Sequence, residues 1–327
     1  MKNKKMRIVI LILLVALSLT SCGGGDVPSG LERISFVLDW TPNTNHTGVY
    51  VAIANGYYED AGLSVEILDP PETGAAAFVA SGRAEFGVDF QDWLAMVLTL
   101  DEPMPVTAVA AIISHNNSGV ISLKERGIDD FSKLEGMTYA SWELPVELAI
   151  LKQTMTDAGG NFDALRVVPY AADALQMIQS GLVDAVWVFE SWDVVAAELS
   201  GMAYNFLPFV GTSPVLDFYT PVIIANDDFL ASNPETARKF MQATAAGYRY
   251  AIENPESAAR ILLEAVPELP EDLIFASQEL LAETYAAADG RWGFFDAPRW
   301  GAFYDWMYEE GIIPVPLGST GFTNDFL

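Results

Sequence analysis

Cysteine and histidine are scarce in this sequence, and their scarcity excludes several classes of site. Cys22 is the only cysteine in 327 residues, so one chain cannot form a disulfide or a thiolate-based zinc site in its folded body. Two histidines, His46 and His115, do not make a metal cluster. The phosphate-cradling pattern GxxxxGK(S/T) and the nucleophile elbow GxSxG are also missing. We therefore expect no metal centre and no thiol- or serine-based catalysis.

Basic residues are few as well. The chain has 17 lysines and arginines against 44 acidic residues, a net charge of −27. A field of that sign repels nucleic acid and anionic lipid headgroups, so we expect no nucleic-acid partner. Half of the residues are apolar (51%), which is typical of a folded chain and not of an acidic tail. The length fits two domains of ordinary size.

The first 22 residues have the pattern of a secretory signal. Basic residues precede an apolar run over 8–19, and small residues follow it. This run is shorter than the roughly 20 residues of a membrane-spanning helix, which favours a cleaved signal over an uncleaved anchor. The tetrapeptide LTSC (19–22) resembles a bacterial lipobox, which implies cleavage before Cys22 and lipidation of its thiol. We predict a signal peptide over 1–21 and a lipidated tether over 22–32.

The rest of the chain alternates strand-like and helix-like segments, which favours an α/β fold built on largely parallel sheets. The stretch SGRAEFGVDFQDW (81–93) is echoed by SGLVDAVWVFESW (180–192), in the same helix–Gly–acid–strand order. The echo predicts two lobes of similar layout. We place lobe one at 33–118 plus 220–327 and lobe two at 119–219.

Two crossovers between the lobes, near 114–122 and 215–223, are expected to act as hinges around a central cleft. Loops at the C-terminal ends of parallel strands face such a cleft. LDWTPNTNHTG (38–48) follows the first strand of lobe one, and SWELP (141–145) holds the same place in lobe two. The predicted ligand-binding residues come from these strand ends and from the return segment: Trp40, Asn43, His46, Gln91, Trp142, Glu190 and Tyr219.

The aromatic candidates have two interpretations. A tryptophan such as Trp40 is usually a core residue. Its place at a strand end favours stacking on a planar heterocycle, with Trp142 and Tyr219 on the opposite side. Trp93 and Trp192 lie further along the chain and are expected in the core.

The polar candidates also have alternatives. Asn43, Asn45 and His46 can cap the helix that follows them, or a neutral imidazole can hydrogen-bond a ring nitrogen. Glu190 can accept two N–H bonds from an amidine-like edge, or it can be a solvated surface carboxylate. Gln91, at the echoed position, offers both a donor and an acceptor.

These stretches resemble a known family. FVLDWTPNTNHTGVYVAIANGYYEDAGLSVEIL (36–68) is similar to the first motif of the thiamine-pyrimidine-type substrate-binding proteins of bacterial ABC importers, which are related to the fungal thiamine pyrimidine synthases. The resemblance implies a two-lobe fold of the periplasmic-binding-protein type and a ligand such as formylaminopyrimidine or riboflavin. It continues in SWELPVELAILK (141–152), VWVFESWD (186–193), DFYTPVIIANDDFL (217–230) and FTNDFL (322–327).

Departures from the synthases bear on catalysis. Asp89 stands where the synthases carry a lysine for pyridoxal phosphate, and PVLDFYT (214–220) replaces their run of cysteines. His46 is retained, and Glu190 stands where the family has a cleft carboxylate. The resemblance therefore implies a protein without a cofactor and without enzymatic activity.

The leading hypothesis is a lipid-anchored binding protein on the extracytoplasmic face of the cell membrane. It would capture an aromatic N-heterocyclic vitamin or vitamin precursor by hinge closure and deliver it to ABC permease and ATPase subunits. Two alternatives stay open: a pyrimidine-synthase-like enzyme, and a surface interaction protein whose cleft is vestigial.

The lipobox generates a first prediction. Cys22→Ser removes the thiol that would be lipidated, so the protein should move from the membrane pellet to the soluble fraction of the producing bacterium. Ser29→Ala, a tether change that keeps the thiol, is the control and should stay in the pellet. Membrane attachment of Cys22→Ser at the wild-type level would contradict the lipoprotein prediction.

Overall fold

A computed structural model describes residues 30–327. The predicted signal peptide, Cys22 and most of the tether therefore lie outside the described residues. Within the described range, none of the helices combines the length and the apolar character that crossing a membrane requires.

The described residues form two five-stranded sheets. Their strands are β1 (Glu32–Val37), β2 (Leu63–Leu68), β3 (Phe86–Asp89), β4 (Val106–Ala111), β5 (Ser118–Leu123), β6 (Thr138–Ser141), β7 (Arg166–Pro169), β8 (Ala185–Phe189), β9 (Tyr204–Pro208) and β10 (Val222–Asn226). The first sheet has the order β2-β1-β3-β10-β4, and the second has the order β7-β6-β8-β5-β9. We call the part that carries the first sheet lobe one and the part that carries the second sheet lobe two.

Helices cover both sheets. They are α1 (Thr47–Ala54), α2 (Tyr57–Asp60), α3 (Ala75–Ala80), α4 (Gln91–Leu98), α5 (Pro145–Asp157), α6 (Ala174–Gln179), α7 (Val195–Leu199), α8 (Asp227–Ser232), α9 (Pro234–Glu253), α10 (Pro255–Ala265), α11 (Glu271–Thr284) and α12 (Ala297–Glu309). Helices α5, α9 and α10 each begin at a proline, whose fixed φ suits the first turn and whose missing N–H is not needed there.

The two sheets share one topology. In each, a central strand (β3 or β8) pairs in parallel with its neighbour on one side and antiparallel with its neighbour on the other. The α/β prediction is thus confirmed, but the expectation of largely parallel sheets is corrected to mixed sheets. The reason is the chain path: the antiparallel partners, β10 and β5, are the strands that enter each sheet from the other lobe.

The chain crosses between the sheets twice. Residues 112–117 connect β4 to β5, and residues 209–221 connect β9 to β10. These segments overlap the predicted hinges. The lobe boundaries inferred from the sequence stay a prediction.

The core of lobe one lies on both faces of its sheet. Ile34 and Phe36 of β1 point to the face that α9 covers, whereas Val37, the last residue of β1, packs with Val79 of α3 on the other face. Phe240 of α9 stacks on Phe86 of β3 at a centroid distance of 4.0 Å. A strand buried on both faces needs a nearly continuous apolar run, which accounts for the composition of β10 (VIIAN), buried at every residue.

Helix α1 reaches its position through a glycine contact. A Cβ added to Gly247 of α9 would lie 1.9 Å from the carbonyl oxygen of Gly48 of α1, and one added to Gly48 would lie 2.3 Å from the ring of Tyr248. Only glycines allow the two backbones to approach this closely. The contact fixes the helix that directly follows the loop 38–46.

This contact predicts a large effect for a small change. Gly247→Ala should lower the free energy of unfolding by at least about 3 kcal/mol, because the methyl group meets a backbone oxygen that cannot move away. Elsewhere in a helix the same change is favourable by about 1 kcal/mol. Urea unfolding monitored by circular dichroism measures the difference. Gln242→Ala, at an exposed position of α9, is the control, and equal stabilities of the two variants would contradict the packing argument.

Candidate ligand-binding site

A cavity of about 320 Å³ lies between the lobes, at the C-terminal ends of the parallel strands of both sheets. This is where α/β sheets usually bind ligands. Lobe one contributes Asp39, Trp40, Asn43, Thr44, Asn45, Phe90 and Pro221. Lobe two contributes Trp142, Tyr170, Trp187, Phe189, Ser191, Trp192 and Asp193. The wall is therefore aromatic and carries two carboxylates, and none of its residues is a lysine or an arginine.

The loop after β1 is held by a buried histidine. His46 is fully buried, and its Nδ1 accepts the backbone N–H of Asn43 at 3.2 Å. The ring hydrogen must then be on Nε2, which donates to Oδ1 of Asp39 at 2.8 Å. Asn43 closes the turn by accepting the N–H of Asn45 through its side chain at 2.8 Å. These bonds orient Asp39 towards the cavity.

The loop after β6 is held by a buried carboxylate. Glu147 of α5 accepts hydrogen bonds from the hydroxyl of Tyr139 at 2.9 Å and from Oγ of Ser141 at 2.8 Å. Oγ of Ser141 in turn accepts the N–H of Glu143 at 2.7 Å. Glu143 has φ +60°, the left-handed region that a non-glycine residue enters only under constraint. The network fixes the turn that presents Trp142 to the cavity.

A π-helical turn, Glu190–Val194, follows β8. Such turns are rare and often occur at functional sites. Oδ2 of Asp193 accepts the N–H of Phe189 at 3.1 Å, so the carboxylate folds back over the strand end. Burial raises the pKa of Asp193 to about 6, although the Phe189 bond opposes the shift. Trp192 of the same turn meets Trp40 edge to face across the cleft at 6.2 Å.

The structure brings three of the sequence-predicted residues to the cavity. Trp40, Asn43 and Trp142 line it. The two tryptophans are 53% and 41% exposed, so they are unlike core residues. The capping alternative for Asn43 also applies, since its side chain caps the turn Thr44–His46 while the residue lines the cavity.

The other four predicted residues are not part of the wall. His46 acts behind it, through Asp39. The side chain of Gln91 is fully buried, where it accepts the N–H of Tyr219 at 2.8 Å and donates to the carbonyl of Trp300 at 3.1 Å. Tyr219 is also buried, and its hydroxyl accepts the N–H of Asp296 at 2.7 Å. The return segment and α12 thus cover the end of β3 and leave Gln91 no path to the cleft.

Glu190 differs in its surroundings from Gln91, which holds the equivalent position in lobe one. It is partly exposed, and its backbone N–H donates to the carbonyl of Asn117 at 2.8 Å. Burial, with a smaller contribution from Glu198, raises the pKa of its side chain. The carboxylate that lines the cavity is instead Asp193, one turn further along.

Sequence reasoning missed several residues of the wall. Asp39 directly precedes Trp40, and its place at the same strand end is the signal that could have found it. Trp192, expected in the core, is half-buried: it packs against the apolar cluster of α10 and α11 and also lines the cavity. Trp93 is outside the core, 38% exposed. Trp187 could have been found from the sequence. It lies two residues before Phe189, the last residue of β8, so the two side chains point to the same side of the strand.

Comparison with known proteins places this geometry in a family. The family model described as NMT1/THI5 like matches residues 43–258, about two thirds of the chain. The chain belongs to the NMT1/THI5-like family. The match begins within the loop after β1 and covers both echoed strands and the return strand, while Asp39 and Trp40 lie just before it.

Two named relatives of the family differ in activity. The formylaminopyrimidine-binding protein of Halalkalibacterium halodurans is 30% identical over 319 residues, which cover 94% of this chain and 95% of that protein. The 4-amino-5-hydroxymethyl-2-methylpyrimidine phosphate synthase THI13 of Saccharomyces cerevisiae is 26% identical, with 90% of this chain and 88% of that protein covered. The resemblance inferred from the sequence motifs is confirmed.

Solved structures share the fold. The alkanesulfonate-binding protein SsuA of Xanthomonas axonopodis pv. citri has a TM-score of 0.66 at 11% identity, covering 91% of this chain and 100% of that one. The nitrate-binding protein NrtA of Synechocystis PCC 6803 has a TM-score of 0.65 at 14% identity, covering 90% of this chain and 87% of that one. The predicted periplasmic-binding-protein fold is thereby confirmed.

The raised pKa of Asp193 predicts a pH effect on stability. The folded state holds the proton more tightly than the unfolded chain, so the stabilisation is complete below about pH 4 and is lost as pH rises through about 6. Relative to Asp193→Asn, which keeps an acceptor for Phe189, the wild type should lose about 1–2 kcal/mol of unfolding free energy between pH 4 and 7. Chemical unfolding across this range measures it. Asp163→Asn, at an exposed position, is the control; an unchanged pH profile in Asp193→Asn would refute the assignment.

Proposed function

We propose that the chain is the substrate-binding component of an ABC importer and captures a thiamine pyrimidine precursor such as formylaminopyrimidine. The observation that carries this proposal is the cavity wall: aromatic rings and carboxylates from both lobes, with no basic residue. The formylaminopyrimidine-binding relative, which matches over almost the whole chain, supports the ligand class.

Aromatic walls suit a flat heterocycle. Trp40 from lobe one and Trp142 and Trp187 from lobe two line one cavity. A ring between such faces gains offset-stacking energy of about 0.5–1.5 kcal/mol per pair beyond its burial. Rings supplied by both lobes mean that the ligand contacts are complete only when the lobes are together, which couples binding to closure.

The two carboxylates in the wall favour a ligand that donates hydrogen bonds. Asp39 and Asp193 accept hydrogen bonds, and an aminopyrimidine edge presents the N–H groups that they can bind. An anion would meet two carboxylates and no positive side chain in this wall, at a high desolvation cost. The alkanesulfonate- and nitrate-binding proteins therefore share the fold of this chain, while its cavity is suited to a neutral or cationic ligand.

The cavity favours the pyrimidine over riboflavin. Its volume of about 320 Å³ is near the lower end of small-ligand sites, which span about 300–1,000 Å³. One ring with short substituents fits such a volume better than three fused rings with a sugar-like chain.

A binding role is favoured over synthase chemistry. Asp89, which holds the place of the synthase lysine, is buried and accepts the backbone N–H groups of Ala76 and Phe90 at 2.9 and 2.8 Å. Burial raises its pKa to about 7. A side chain used in this way supports the backbone around β3 and offers no amine for an imine with pyridoxal phosphate.

Delivery of the ligand across the membrane requires partner subunits. The ligand would pass to ABC permease and ATPase subunits, with the protein held at the extracytoplasmic face of the membrane through a lipid on Cys22. The lipid anchor rests on the lipobox alone, and its test is the Cys22→Ser fractionation.

Titration calorimetry with formylaminopyrimidine tests the function. The wild type should bind it, and Trp142→Ala should bind about 1–3 kcal/mol more weakly because a stacking face and buried apolar area are lost. Trp40→Ala should also weaken binding of formylaminopyrimidine. The control is Trp93→Ala, which removes a similarly exposed tryptophan outside the cavity wall and should bind like the wild type.

Three results would decide against the proposal. No heat of binding in the wild type, together with no ligand-induced compaction in small-angle scattering, would favour a vestigial cleft. Imine absorbance on addition of pyridoxal phosphate would favour the enzyme. Equal affinities of Trp142→Ala and Trp93→Ala for the ligand would contradict stacking of the ligand on Trp142.

A further inference from the structure

A second compartment opens beside the cavity. It has a volume of about 250 Å³. Four aromatic side chains line both spaces: Phe90, Trp142, Trp187 and Phe189. The two compartments therefore share an aromatic partition, and a ligand in the first would lie against it.

The partition contains an unsatisfied donor. Trp187 is 7% exposed, and within residues 30–327 its indole N–H has no hydrogen-bond partner. Buried donors are normally paired, and the exceptions often mark places where a molecule is missing. An unpaired N–H in a wall common to both spaces calls for an acceptor, which a pyrimidine ring nitrogen can supply, so it points to a ligand at the partition.

Asp92 faces the second compartment from the first turn of α4. Its carboxylate accepts backbone N–H bonds within that turn, from Asp92 and Trp93, while among residues 30–327 no basic side chain pairs with it and no side chain donates a hydrogen bond to it. Burial raises its pKa to about 6, so it is ionised at neutral pH. Glu147 lines the same space, but both of its oxygens are occupied, by Tyr139 and by Ser141.

The second compartment also touches both crossovers. Ser118 begins β5 directly after the first crossover, and Thr220 belongs to the second. The hydroxyl of Ser118 donates to Oδ1 of Asn116 at 2.6 Å, which leaves its lone pairs for a donor in the compartment. A group placed here would contact the connections between the lobes as well as Asp92.

We propose that the second compartment is a subsite for a short substituent that carries N–H donors, preferably a protonated amine, which passes the aromatic partition and binds Asp92. The ring of the same ligand occupies the first compartment. This inference rests on the proposed function and deepens it, because it names the group that distinguishes one pyrimidine from another.

Two probes separate the subsite from the ring site. One is 4-amino-5-aminomethyl-2-methylpyrimidine, and the other is 4-amino-2,5-dimethylpyrimidine, which lacks the amine. In calorimetry at pH 7.5 the wild type should bind the aminomethyl probe at least about tenfold more tightly, as a charge-assisted hydrogen bond provides. In Asp92→Asn this preference should fall below about threefold, while the affinity for the dimethyl probe stays near the wild-type value.

Two further variants complete the test. Glu190→Gln removes a carboxylate outside both compartments and should keep the full preference. Leu144→Phe places a larger side chain in the second compartment only, so it should weaken binding of the aminomethyl probe more than binding of the dimethyl probe. This comparison remains possible even where Asp92→Asn fails to fold.

The outcomes are distinguishable. Equal binding of both probes by the wild type, or a preference that survives in Asp92→Asn and in Leu144→Phe, would overturn the subsite while the ring site stands. Binding of neither probe by the wild type would overturn the proposed function and the subsite with it.

Discussion

Carboxylates set against aromatic walls are the constraint on which this cleft depends. An ionised carboxylate away from water is costly unless donors surround it. Asp39 receives a bond from His46, Asp193 receives the N–H of Phe189, and Glu147 receives two hydroxyls. Each donor comes from the same lobe as its carboxylate. The loops that frame the cleft are thus fixed within each lobe, and the site does not need lobe closure to hold its shape.

The two lobes share one topology, but the residues at their equivalent strand ends have different surroundings. Gln91 and Glu190 follow β3 and β8 at echoed positions, yet one is fully buried and the other partly exposed. The difference arises because different parts of the C-terminal chain contact the two strand ends. Its segment around Tyr219 and the helix α12 cover the end of β3 and pair with Gln91. At the end of β8 the π-helical turn packs against α11 instead, and it supplies Asp193 to the cleft.

Local patterns were sufficient to predict much of this arrangement. The alternation of strands and helices, the echoed segments and the position of Trp40 and Trp142 at strand ends all follow from short-range sequence signals. Three features depend on contacts distant in sequence and were not predictable: the antiparallel entry of β5 and β10, the burial of Gln91 under the return segment, and the π-helical turn that brings Trp192 to the cavity wall. Each is decided by what covers an element, and a single sequence does not state that.

Charge on both sides of the cleft links recognition to lobe contact. Asp39 belongs to lobe one and Asp193 to lobe two, and they line the same cavity. Trp40 and Trp192 meet edge to face across the same cleft, so each lobe supplies both a carboxylate and a tryptophan to it. Under the proposed function, a ligand with N–H donors on two edges would bind a carboxylate of each lobe. An anion would find no lysine or arginine in this wall. The same pair of residues would then select the ligand and, because the ligand bonds to both lobes at once, favour the closed arrangement.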